Sequence, residues 1–273
     1  MVFRFHDLKL IHNAILFFTG GFTMPQIRNQ DNNRVEAVYI TIVYDNNSFL
    51  KDLQTDWGFS CLVEIGKTRL LFDTGDNGGL LLVNMSKLGI VPKSINLVFL
   101  SHFHHDHTGG LIDFLRANPS ITVCYPWSFP DKLIDTMIRS NVTLLPVSSF
   151  QKLKENIFSL GELNGAIPEQ SLAVRTTKGI VVITGCAHPG IINILEKAKN
   201  SFPDEVINLV LGGFHLYEQT GEEIKVIMNK IFKMGVLQVA PSHCSGDIAR
   251  KMFKDIYNDN YVEIGTGKMI KIN

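Results

Sequence analysis

From Val35 onward, apolar residues fall into short blocks whose spacing switches between two residues and three to four. Val35–Val43 reads Val-Glu-Ala-Val-Tyr-Ile-Thr-Ile-Val, and its β-branched content predicts a strand. Phe59–Glu64 and Thr68–Phe72 predict a hairpin that turns at Gly66-Lys67. Leu80–Leu88 carries a helical stripe that ends at Gly89, where glycine accepts the left-handed conformation that stops helices. Leu97–Leu100 is a short, wholly apolar strand, and Leu111–Ala117 a helix that cannot run on into Pro119.

The second half continues the alternation. Ile121–Tyr125, Val142–Leu145, Ile157–Leu160, Ser171–Thr176, Ile180–Thr184, Ile207–Leu211 and Leu237–Ala240 predict strands. Lys132–Arg139, Ile191–Lys199, Glu222–Met234 and Ile248–Tyr257 predict helices, and Tyr261–Ile264 with Met269–Ile272 could close a sheet. Neither a Gly/Ser linker nor a low-complexity tract divides residues 35–273, so they form one α/β domain. By pattern alone, two face-to-face sheets with helices outside and a doubly wound single sheet fit nearly equally.

Composition narrows the function classes. With 45% apolar and 19% charged residues the chain has the make-up of a globular protein. Lys plus Arg (26) equals Asp plus Glu (26), so the basic bias of a nucleic-acid binder is missing and no nucleic-acid partner is expected. A small-molecule substrate, even a phosphorylated one, needs only a local site. Cys61, Cys124, Cys186 and Cys244 lack the short pairings of a zinc ribbon or redox motif. Cys61 and Cys124 lie in strand-like runs, whereas Cys186 and Cys244 each lie near a histidine in a glycine-containing turn. Free thiols of this kind suit a reducing compartment, so the expected location is cytoplasmic.

The first 34 residues stand apart. Leu10–Phe22 is largely apolar, but His12 and Asn13 interrupt it and no Ala-x-Ala-like cleavage site follows. The run is too short for a stable membrane span. Residues 1–34 are expected to be a poorly ordered extension, or a start artefact with Met24 as the first native residue.

The chemistry is concentrated after the strand Leu97–Leu100, in Ser101-His-Phe-His-His-Asp-His-Thr-Gly-Gly110. Imidazole and carboxylate are the ligands that borderline divalent metals take. Alternate residues of an extended segment point the same way, so His102 and His104 can reach one ion together. Asp106 and His107 come where the chain has begun to turn and can serve a second ion. Gly109 and Gly110 are expected to allow the tight turn into the next helix. His105 lies between the patterned positions and is given no ligand role.

The run His102-x-His104-x-Asp106-His107 resembles the signature of the metallo-β-lactamase superfamily. Leu70-Leu-Phe-Asp-Thr-Gly75 is similar to its first motif, in which Asp73 would shape the site's loops rather than bind metal. The resemblance selects a four-layer αβ/βα sandwich. Asp56-Trp-Gly-Phe-Ser60, Thr184-Gly-Cys-Ala-His-Pro-Gly190, Gly212-Gly-Phe-His-Leu216 and Pro241-Ser-His-Cys-Ser-Gly246 resemble one branch in particular. That branch takes its name from the dihydropterin–ribofuranosylaminobenzene-phosphate synthase of methanopterin biosynthesis.

The resemblance implies two divalent ions, zinc first, with manganese or iron as alternatives. His243 matches the superfamily's last ligand. Cys186 stands where other members carry a bridging aspartate, and His188, two residues on, is taken as the ligand of this turn. Cys186 as a thiolate ligand is the alternative. The superfamily's intervening histidine is replaced by Ile167-Pro-Glu-Gln-Ser171, so Glu169 is a candidate oxygen ligand or substrate contact. His215 is either a loop histidine or a substrate and oxyanion contact, the latter making it catalytic alongside Asp106. The implied activity is hydrolysis of an ester-like, phosphorylated small molecule by a metal-activated water. The alternatives are the branch's condensing synthase activity and a non-catalytic, metal-centred metabolite sensor. Because the legible domain starts near Val35, removing residues 1–23 is expected to leave metal content and thermal stability unchanged. Elemental analysis and a melting curve of the shortened chain check this.

Overall fold

A computed structural model of the chain describes residues 37–273; the extension expected over 1–34 lies outside the described residues. The first half builds strands β1 (Val38–Asp45), β2 (Phe59–Ile65), β3 (Thr68–Phe72), β4 (Leu97–Phe99), β5 (Thr122–Pro126) and β6 (Thr143–Val147). Helices α1 (Gly78–Lys87), α2 (His105–Thr108), α3 (Leu111–Ala117) and α4 (Asp131–Arg139) lie between them. The second half builds β7 (Gln151–Lys154), β8 (Ile157–Leu163), β9 (Glu169–Thr176), β10 (Gly179–Thr184), β11 (Ile207–Gly213) and β12 (Gln238–Ser242). Its helices are α5 (Ile191–Ser201), α6 (Gly221–Lys233) and α7 (Asp247–Tyr257), and β13 (Met269–Ile272) closes the chain.

The strands form two sheets, ordered β13-β1-β2-β3-β4-β5-β6 and β12-β11-β10-β9-β8-β7. Each joins antiparallel strands on one side to a parallel set on the other: β3 to β6 in the first, β10 to β12 in the second. Side-chain alternation assigns the layers. Leu70, Phe72, Leu97 and Phe99 of the first sheet pack against Leu172, Val181, Ile183, Leu209 and Leu211 of the second. Leu71 and Val98 turn the other way, onto Leu81, Met85 and Phe114 of α1 and α3. Val182 and Val210 likewise face Ile194, Met228 and Phe253 of α5, α6 and α7. The result is the four-layer αβ/βα sandwich, and the doubly wound alternative is set aside.

Two elements differ from the sequence expectation. Tyr261–Ile264 forms only an isolated bridge, Val239 to Tyr261, before the chain crosses back and pairs β13 with β1. Strand β7, Gln-Lys-Leu-Lys, has no apolar run to betray it, because it is a sheet edge with alternate residues exposed. Among the described residues, no helix is long and apolar enough to cross a membrane.

The inter-sheet core contains an aromatic stack in which Phe72 and Phe99 lie 5.3 Å apart at 17° and Phe59 meets Phe72 edge-on at 6.1 Å. Phe99 is fully buried, whereas Trp127 is 69% exposed. Phe99→Ala is therefore expected to cost about 3–5 kcal/mol of stability. Trp127→Ala should change it by no more than about 0.5 kcal/mol. Chemical denaturation of the three proteins at equal metal loading measures both values.

Candidate metal centre

Strand ends deliver the chemistry. Asp73 follows β3, His102–His107 follow β4, Cys186 and His188 follow β10, His215 follows β11 and His243 follows β12. The strands within each set run parallel, so their side chains leave each sheet at one end. The two ends meet: His107 Nε2 lies 3.3 Å from His243 Nε2. Gln170 fastens the sheets there, donating its backbone N–H to Ser101 O (2.9 Å) and its side-chain amide to Leu100 O (2.8 Å). On the other flank Ser242 Oγ donates to Asp45 Oδ2.

The histidine run changes direction as its spacing requires. His104 is extended (φ −120°, ψ 152°), and the chain then coils into the single turn α2. His102 Nε2 and His104 Nδ1 lie 3.2 Å apart, so these two side chains converge. Asp106 and His107, on the turn, point to another cluster, where Asp106 Oδ2 is 3.2 Å from His243 Nε2 and 3.6 Å from His107 Nε2. His105 stays outside, its exposed ring paired with Asp76 at 2.6 Å. Gly109 and Gly110 correct one expectation. Gly109 (φ −61°) and Gly110 (φ −78°) are right-handed, so the turn does not need glycine's conformational freedom. It needs the missing side chain, because a Cβ would lie 2.1 Å from Asp76 O or 2.3 Å from Thr74 O.

Four imidazoles have their outer nitrogens engaged. His107 Nδ1–H donates to Asp73 Oδ2 (2.7 Å) and His188 Nδ1–H to Glu169 Oε2 (2.9 Å). His243 Nδ1–H donates to Asn46 Oδ1 (3.1 Å). Ser101 Oγ–H donates to Asp73 Oδ2 (2.7 Å), which leaves its oxygen to accept from His102 Nδ1–H (2.8 Å). Each pairing fixes the tautomer and leaves Nε2 as the free donor, the arrangement that metal-binding histidines require.

The donors that include the sequence-predicted histidine run gather in two groups. Asp106, His107, Cys186 and His243 place one ligand atom each within 4.8 Å of one another, and so do His102, Cys186 and His188. His104 joins the second group through His102. Imidazole and carboxylate suit zinc, iron or manganese, and the thiol favours zinc or iron. Electrostatics agree: burial, then the charge of His107, pushes the His102 pKa well down, and burial with His188 lowers that of His104. Both therefore keep the neutral form that metal binding needs. Burial alone would raise the Asp106 pKa, but the hydrogen bond from His243 and the charge of His107 outweigh it and hold the group ionised. For His107, burial is outweighed by the charge and hydrogen bond of Asp73, which push its pKa up to about 9.

Glu169 is committed elsewhere. Its Oε1 accepts from the backbone N–H groups of Gly185, Cys186 and Ala187 at 2.9–3.1 Å, and its Oε2 from the N–H and ring of His188. It thus clamps the 185–188 turn rather than offering an oxygen to an ion. His215 lies beyond the second group, its ring 4.7 Å from that of His188 and half-buried. An adjoining cavity of about 260 Å³ is lined by His188, His215, Ile191, Ile192, Leu216 and Ile227, among others.

Sequence reasoning missed Asn46 and Ser101, which orient His243 and His102. Asn46 stands 197 positions from its partner, and no local spacing marks such a pair. It also missed an aromatic rim. Trp57 lies with its ring 4.7 Å from that of His243, and Tyr217 meets Trp57 at 6.3 Å and His215 at 5.5 Å. Both are about half exposed.

Residues 58–126 match the family described as the metallo-beta-lactamase superfamily. The chain is 28% identical to the 7,8-dihydropterin-6-methyl-4-(beta-D-ribofuranosyl)-aminobenzene-5'-phosphate synthase of Methanocaldococcus jannaschii, over 85% of this chain and 95% of that one. The crystal structure of Tm1679, a metal-dependent hydrolase of the beta-lactamase superfamily, superposes with a TM-score of 0.70 at 28% identity, covering 86% and 99% of the two chains. YhfI from Bacillus subtilis shares the fold, with a TM-score of 0.66 at 14% identity over 86% of this chain and 99% of that one. Residues 58–126 thus carry the match to the metallo-beta-lactamase superfamily, and the described chain shares the fold of its solved members.

Proposed function

We propose that the protein is a metal-dependent hydrolase of an ester-like, phosphorylated small molecule. In this reading His102, His104 and His188 hold one divalent ion, and Asp106, His107 and His243 hold the other. The observation that carries it is the set of imidazoles whose Nδ1 atoms are engaged while their Nε2 atoms converge. When bound, two such ions, zinc in the first instance, supply Lewis-acid polarisation of a phosphoryl or carbonyl oxygen and an acidified water.

The chain's own groups do the rest. Asp106 keeps 16% of its side chain exposed while His107 and His243 are fully buried, so its carboxylate is the ligand that meets incoming water. Held ionised, it orients that water and accepts its proton. His215 is half-buried, and the Cys244 sulfur beside it raises its pKa, favouring the protonated donor. From the lining of the adjoining cavity it can stabilise negative charge developing on the substrate. Four buried free cysteines fit the reducing, cytoplasmic setting expected for the protein.

A second reading, condensation rather than hydrolysis, is favoured by the 28% identity to the named synthase across most of both chains. The same residues would then activate a condensing partner, and a panel of ester, thioester and phosphodiester substrates would give no turnover. A protein that neither hydrolyses nor condenses would be a metal-centred sensor.

Two measurements test the hydrolase. About two equivalents of divalent metal per chain are expected, and replacing His102 with His104 by alanine should empty one position. A chain that binds no metal and gains no activity from zinc, manganese or iron is not this enzyme. Asp106→Asn should lower phosphodiester turnover about a hundred-fold to ten-thousand-fold at matched metal occupancy. Wild-type turnover by the fully loaded variant would reduce Asp106 to a ligand.

A further inference from the structure

One side chain belongs to both donor groups. Cys186 Sγ lies with Asp106, His107 and His243 on one side and with His102 and His188 on the other, within 4.8 Å of a ligand atom of each. Its distance to His107 Nε2 is 3.2 Å. Among the described residues, no other is shared by these two groups. The buried carboxylates nearby are spoken for: Asp73 by Ser101 and His107, Glu169 by the 185–188 turn.

The thiol is also held in place. Glu169 Oε1 accepts from the N–H of Cys186 itself and from those on either side, and Ala187 takes a left-handed φ of 64°. Gly185 allows this turn to close on the histidine run, since a Cβ there would lie 2.2 Å from Ser101 Oγ. Cys244 is differently placed. It groups with Cys186 and His215 but with neither histidine cluster, and its Sγ points at Cys186 O, 3.5 Å away.

We propose that Cys186 is the bridging ligand of the centre, a thiolate that binds both ions where a carboxylate would otherwise stand. The assignment rests on the two-ion reading above. On loading, the Cys186 S–H bond breaks, its proton leaves to solvent, and the sulfur's lone pairs are shared between the two ions. A sulfur at the bridge draws the site toward zinc, iron or cobalt and away from magnesium or calcium, which prefer oxygen.

Full-length protein loaded with cobalt(II) tests this without any assay of activity. Wild type carrying two cobalt ions should show a near-ultraviolet sulfur-to-cobalt charge-transfer band. Cys244→Ser should keep the band, and Cys186→Asp should lose it while retaining two ions. X-ray absorption of the zinc-loaded wild type is independent of any variant's folding. A bridging thiolate gives about one sulfur per zinc at about 2.3 Å, a terminal one about half that. A loaded wild type without the band or the sulfur shell, or a band that survives Cys186→Asp, overturns the bridge alone. A chain that takes up no cobalt and no zinc overturns the two-ion reading and the bridge with it.

Discussion

Asp73 follows β3 with no exposure to solvent and a left-handed φ of 50°, where an uncompensated carboxylate would be strongly destabilising. It is compensated by three donors, all from the segment after β4: the Ser101 N–H, the Ser101 hydroxyl and the His107 ring. The charge can therefore stay buried only when that segment is folded back over the strand end. In return it sets two histidines, His107 directly and His102 through Ser101. Glu169 does the same from the second sheet. It starts β9, antiparallel to β10, so its carboxylate reaches the turn at the end of β10 and satisfies four backbone N–H groups and one imidazole. Each sheet thus spends one buried carboxylate on orienting imidazoles.

This division of labour explains what could be read from the sequence. Strands such as β3, β4, β10 and β11 are buried on both faces, so each appears as an apolar run whose ends can be located closely. His102, His104, Asp106 and His107 are legible because a strand end followed by one helical turn compresses them into six residues. Glu169 was legible as a candidate but not in its role, since a carboxylate that caps a turn and one that binds a metal look identical in sequence. Asn46 and Ser101 carried no signal at all. Their contribution is one hydrogen bond each to a ring brought close only by the fold. The edge strand β7 was hidden for a related reason, its pairing being visible in backbone geometry and not in side-chain pattern.

The placement of the donors also links the centre to the stability of the sandwich. One set lies within residues 102–107 and the other within 186–243, on different sheets, so the unfolded chain has neither group assembled. Ions that bind the folded form alone would stabilise it, by about 2.7 kcal/mol at a hundredfold excess over the dissociation constant. Without ions the end of the sandwich holds several imidazoles in contact. Burial and the charge of His107 push the His102 pKa down, while Asp73 pushes that of His107 up, so each ring's state depends on its neighbours. Two divalent charges would remove that conflict, since coordination requires every ring to be neutral at the coordinating nitrogen. A shared sulfur would extend the same logic, joining through one atom two ligand groups that each draw on both sheets. The end of the sandwich where donors from both sheets converge is thus the end best suited to binding metal.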